Sequence, residues 1–159
     1  MNQININLPV IQNIAILGVR RTAVFMGLGI NAATKSDFKQ YELANFTGLE
    51  FIEPISDEKT LDEFKTEFGR WIIGNGLREL IETFCIFLDE IYFVCLLIAT
   101  NKGQISKDQF PKKNAKFRHF GLKDKISYLN NDFDLKIPQS NYLISINQAR
   151  HCLTHENNT

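Results

Sequence analysis

LRELIETFCIFLDEIYFVCLLIA, residues 77–99, is the stretch that decides how this chain folds. Leu77, Ile81, Phe84, Leu88, Ile91, Cys95 and Ile98 recur at alternating steps of four and three, the spacing that lines one face of an α-helix. A seam of that length has to bury itself against at least two neighbouring helices. Upstream, Ser56 or Asp57 supplies a cap. Asp57, Glu58, Asp62 and Glu63 then place carboxylates in the first turns, where the helix dipole favours them. Gly74-Asn75-Gly76 falls inside the same element. Two glycines so close, each costing about 1 kcal/mol relative to alanine, predict a kink or a break there.

The helical pattern continues on both sides. Leu8 to Ala33 reads as a helix with Ile11, Ile14, Ala15, Leu17, Val24, Phe25 and Leu28 on a broad apolar face. Ser36-Asp37 caps a short helix through Phe46, and Thr47 to Ser56, holding Gly48 and Pro54, reads as a connection. Asn101 to Lys113 reads as a basic loop with Gly103 and Pro111. A short helix covers Leu122 to Leu129, and Phe133 to Pro138 is a further loop. Ser140 caps a final helix carrying Tyr142, Leu143, Ile146, Ala149 and Leu153. No alternating strand pattern and no internal repeat interrupts this reading. The expectation is one all-α domain over residues 1–159, an up-and-down bundle of four to five helices.

Composition sets bounds on function. With 159 residues, 44% hydrophobic and thirteen Phe, the chain can bury a real core and is not a disordered tail. Net charge is zero but unevenly spread. Asp37 to Glu90 holds thirteen acids and five bases, a net of −8, whereas Lys102 to Lys125 holds eight bases and two acids, a net of +6. A polyanion can meet the second stretch while the first is turned away, or the lysines simply solvate a loop. Phe110, Phe117 and Phe120 interleave with those bases, either as stacking rings for single-stranded RNA or as pins holding the loop to the bundle. Trp71 reads as a core or interface anchor rather than a base-stacking platform. Cys85, Cys95 and Cys152 form no CxxC pair, and Met1–Asn5 carries no basic cluster, so free thiols and a reducing cytoplasm are expected. The most apolar run, Ile91 to Ala99, falls short of the roughly twenty residues of a bilayer span, and Glu82, Asp89 and Glu90 precede it, so no membrane is expected. Gly27-Leu28-Gly29 lacks the strand a dinucleotide fingerprint requires.

Reactive side chains concentrate at the end of the last helix, Ala149-Arg150-His151-Cys152-Leu153-Thr154-His155-Glu156. One reading is a helix end whose histidines favour the last carbonyls and the dipole. A second is a metal pair, His151 and His155 lying four apart, with Glu156, Cys152 or His119 as a third ligand. The third is a phosphodiester site: arginine stays charged to hold an anion, and histidine changes charge near neutrality to move a proton. At about 100° per residue, Arg150 and His155 point some 140° apart, so one helix does not easily aim both at one phosphate. Two copies facing each other would, which predicts a composite site across a symmetric dimer.

Arg150-His151-Cys152-Leu153-Thr154-His155 resembles the Arg-x4-6-His signature of HEPN domains, including the polar residue after the arginine. Trp71 to Glu82 resembles the long helix of that family. The resemblance covers roughly the second two-thirds of the chain. It implies a HEPN-like bundle acting as an endoribonuclease without metal or cofactor, often a toxin of a toxin–antitoxin pair or a defence component, whose dimer builds one cleft from two motifs. Carried onto this chain, Arg150 would neutralise the scissile phosphate, His155 would act as general acid or base, and His151 would orient the substrate. RNA, a second copy and an antitoxin are the implied partners. The alternative is a non-catalytic HEPN-like module that binds RNA or a protein such as an antitoxin or nucleotidyltransferase. Arg78 and Glu82 have two readings, as supporting groups at the site, for which the resemblance favours Glu82, or as an intrahelical ion pair.

Overall fold

Five helices and no strand make up the described residues of the computed structural model, which covers residues 6–35 and 57–155, with side chains through Cys152. They are α1 (Leu8–Lys35), α2 (Glu58–Asn101), α3 (Gln109–Arg118), α4 (Leu122–Phe133) and α5 (Ser140–His155). The all-α class expected from periodicity is therefore what the described residues adopt. The expected helix from Ser36 to Phe46, and the connection after it, lie outside the described residues.

α2 is the axis of the molecule, and every other helix packs on it. Asp57 caps it: its carboxylate accepts from the Thr60 amide at 2.8 Å and from the Thr60 hydroxyl at 2.7 Å. Those bonds, the amide first, hold the Asp57 carboxyl below its ordinary value. Its 44 residues span about 66 Å at 1.5 Å per residue. The helix runs unbroken through Gly74-Asn75-Gly76, so the break expected there does not occur. Both glycines are buried instead, and a Cβ built on Gly76 would sit 2.0 Å from Met26 Sδ. The glycine leaves room for the close approach of two helices.

α1 supplies the other half of that approach. Gly29 lies on Ile72, Met26 on Gly76, Arg21 on Glu79 and Gly18 on Thr83, so α1 runs antiparallel to α2. Only part of the expected apolar face of α1 packs, Ile11 and Ala15 being half-buried. Thr22 is the one residue of α1 that is buried, its hydroxyl donating to the Gly18 carbonyl at 3.0 Å. Ile14, Leu17, Val24, Phe25 and Leu28 are 56–65% exposed. Small residues win the contact because they let the helices come closer than leucines would permit.

The opposite side of α2 carries the core, with α3, α4 and α5 against it. Ile81, Leu88, Tyr92 and Leu96 meet Phe117, Leu122 and Leu129, and the Tyr92 ring stacks on Phe117 with centroids 3.8 Å apart. The expected seam forms one flank of this core. Ile81 and Leu88 are buried, but Ile98 is exposed, and the deepest line has rotated to Tyr92, Leu96 and Ala99. Burial, followed by the neighbouring Asp132 carboxylate, drives the Tyr92 hydroxyl far above its ordinary range; the two are hydrogen bonded at 3.2 Å.

Two boundaries differ from expectation. The segment read as loop through Lys113 becomes helical at Gln109, with Pro111 in the first turn, where a missing amide costs nothing. Ser140 is the first residue of α5 rather than its cap. The Gln139 carbonyl accepts the first helical bonds, with Gln139 at φ 59°.

Candidate functional site

Arg150, His151 and His155 all fall on the last turns of α5, which packs on α2 and α4. α5 remains helical through His155, so the five-residue spacing keeps its wide angular separation. The His155 side chain itself lies outside the described residues. Arg150 is half-buried and His151 exposed, and Arg150 Nη2 lies 2.8 Å from His151 Nε2. Arginine can only donate, so the histidine nitrogen accepts in this arrangement.

Across from Arg150 lies the middle of α2. Burial pushes the Cys85 thiol above its ordinary value. The charges of Lys125, Asp89, Arg150 and Glu82 all reach it, the two bases opposing that rise and the two acids adding to it. Of these groups, Lys125 and Asp89 are joined in an ion pair. Lys125 is the group the sequence misplaced. Counted there among the solvated bases, it is buried, with its ammonium ion-paired to Asp89, 3.5 Å from the Arg118 carbonyl and 5.3 Å from the centre of the Phe117 ring. A signal existed: Lys125 shares a helix face with Leu122 and Leu129, both buried.

Arg78 and Glu82 form an intrahelical pair, Nε to Oε1 at 3.6 Å, both more than half exposed. Arg78 lines the cleft between α1 and α2. The charge of Glu82, like that of Arg150, reaches Cys85. Among the described residues, no three of His, Cys, Asp or Glu converge as metal ligands.

The basic stretch is partly neutralised. Besides Lys125, Lys113 lies 3.6 Å from Asp132 and Arg118 lies 3.9 Å from Glu90. Phe117 is buried and cannot stack on a base, and Phe110 and Phe120 pack against the same core. The rings pin this segment to the bundle. Trp71, read as an anchor, is 62% exposed and stacks on Phe68. α1 and α2 are each long and apolar enough to cross a bilayer by length and composition alone. No family model, curated protein or solved structure matches the chain. The likeness to HEPN domains rests on the motif and the helical pattern.

Proposed function

We propose that the chain is a HEPN-like endoribonuclease that cleaves single-stranded RNA without metal, at a site shared by two copies in the cytoplasm. The observation that carries this reading is an uninterrupted Arg150-x4-His155 motif on the closing helix, which packs on α2. A fixed positive charge stabilises a developing phosphorane. In the reaction the ribose 2′-oxygen bonds to the adjacent phosphorus and the bond from phosphorus to the 5′-oxygen breaks. A base takes the 2′-hydroxyl proton, and an acid returns one to the departing 5′-oxygen. The products are a cyclic phosphate and a 5′-hydroxyl. His155 serves as one of those proton carriers, a role that contributes about 10²–10⁴-fold. Arg150 neutralises the phosphate, His151 orients it, and Glu82 and Arg78 support from α2. A role as toxin or defence component, with an antitoxin as partner, belongs to the same reading.

The test is incubation of single-stranded RNA with the wild type and with His155→Ala, both in EDTA. Cleavage by the wild type alone, leaving cyclic phosphate ends, supports the proposal. Activity lost to EDTA makes the histidines a metal pair. No cleavage by either protein favours the non-catalytic module.

A further inference from the structure

The outer face of the α1–α2 hairpin is covered by no other described element, and its pattern identifies what belongs on it. On α1, Val10, Ile14, Leu17, Val24 and Leu28 are 48–65% exposed and follow steps of four and three, with Arg21 filling the remaining position of the series. On α2, Phe64, Phe68 and Trp71 begin a second such series, continued by Asn75, Arg78 and Glu82, with Ile86 beside it. Hollows of about 750 and 650 Å³ open between the two rows, the first lined by Phe25, Phe68, Trp71 and Arg78, the second by Ile14, Leu17 and Ile86. Both rows therefore border one groove. Alternating steps of four and three are the spacing by which side chains of one helix seat between those of another. The row side chains, with Phe25, leave on the order of 1,000 Å² of apolar surface. A monomer usually exposes no patch above about 600 Å², and a stable dimer needs about 800 Å² from each partner.

We infer that this face is where a second copy of the chain docks, hairpin against hairpin, to form a four-helix layer. Charge selects the arrangement. Leaving out the charges already paired within the chain (Arg21–Glu79, Asp89–Lys125 and Glu90–Arg118), α1 keeps Arg20 and Lys35, a net of +2, while residues 58–90 of α2 keep five acids and four bases, a net of −1. A two-fold axis parallel to the helices lays each α1 over the partner's α2, matching opposite charges. An axis across the helices would stack α1 on α1 and oppose like charges. A bilayer fits the face poorly, because Arg20 and Arg21 at the middle of α1, opposite Glu79 and Glu82, would sit at its centre. The parallel axis also keeps both copies of α5 at the same level of the bundle. The inference does not depend on RNA cleavage: α5 packs on the side of α2 away from α1, so this axis leaves the two copies of α5 on opposite flanks of the layer, and the shared RNA site needs a separate contact between copies.

Solution mass tests it, by light scattering on the full chain at low and tens of micromolar concentration. The wild type is expected at twice the 18.3 kDa chain mass, with Trp71 emission moving to shorter wavelength as dimer forms. Leu17→Asp/Leu28→Asp is expected at single-chain mass with unchanged helical circular dichroism, because the residues of α1 that touch α2 are left alone. If that variant loses helix, Trp71→Gln/Ile86→Gln reads the same face from α2. A wild type that stays single-chain overturns the inference, whether residues 36–56 shield Trp71 or the protein binds neutral phosphatidylcholine vesicles. A dimer that persists in both variants moves the interface elsewhere and also overturns it. A wild-type dimer that leaves RNA intact would sink the ribonuclease reading alone.

Discussion

Replacing Lys125 by methionine isolates the contribution of its charge, because the side chain keeps its length over the Phe117 ring and loses only the ammonium. That ammonium is buried against Asp89, whose side chain is 16% exposed. Removing one member of a buried ion pair leaves the other charge without compensation, a loss of about 3–5 kcal/mol. Each 1 kcal/mol lowers the midpoint by about 2–4 °C in a domain of this size, so a fall of roughly 6–20 °C is expected. Urea unfolding followed by far-UV circular dichroism, at one protein concentration, gives the free energy. Adding Asp89→Leu should recover most of the loss, since an apolar pair in place of a buried ion pair is close to neutral. The reasoning is refuted if Lys125→Met unfolds within about 1 kcal/mol of wild type, or if the second substitution deepens the loss. The pair matters to the site because it fastens α4 to α2 beside Cys85, where the charge of Arg150 also reaches.

The remaining expectations concern the hairpin, the thiols and the cap. Gly76→Ala should destabilise by about 1–3 kcal/mol, because its methyl meets Met26 Sδ at 2.0 Å. Gly69→Ala, which meets nothing within 4 Å, should stabilise by up to about 1 kcal/mol through helix propensity; thermal melts of both variants compare the two directly. Of the three cysteines, exposed Cys152 should react quickly with a thiol reagent at neutral pH. Cys85 and Cys95, half-buried and with thiols raised by burial, should react slowly; three equally fast thiols would contradict the packing. The Asp57 carboxyl is lowered in the folded state, so its contribution is present above the ordinary value of 3.8 and disappears as pH falls through the lower folded value. Stability measured against pH should show a shallower acid loss in Asp57→Asn than in wild type.

Periodicity made the long helices and the Asp57 cap legible, because a 3.6-residue repeat and a side-chain cap are local properties. What it did not disclose was direction. The apolar row of α1 looked like a core face, yet Gly18, Thr22, Met26 and Gly29 make the contact with α2 while the row faces outward. A glycine reads as a breaker in one dimension and as a close contact only once a partner helix is present, as at Gly76 on Met26. Lys125 was counted with its charged neighbours along the chain although its helix face belongs to Leu122 and Leu129. Arg150, His151 and His155 were legible as a cluster because one helix turn carries them. That the charge of Arg150 reaches Cys85 depends on how α5 lies on α2, and no local pattern encodes that.

Mixing two inactive variants probes the shared site most directly. Arg150→Ala and His155→Ala are each expected to leave RNA uncut. Exchanged together at equal amounts, half the dimers become mixed, and the shared cleft of each regains one of its two arginine–histidine pairs, so about a quarter of wild-type cleavage should return. If wild-type protein cleaves but the mixture stays silent, arginine and histidine do not act across two subunits, and the account is contradicted.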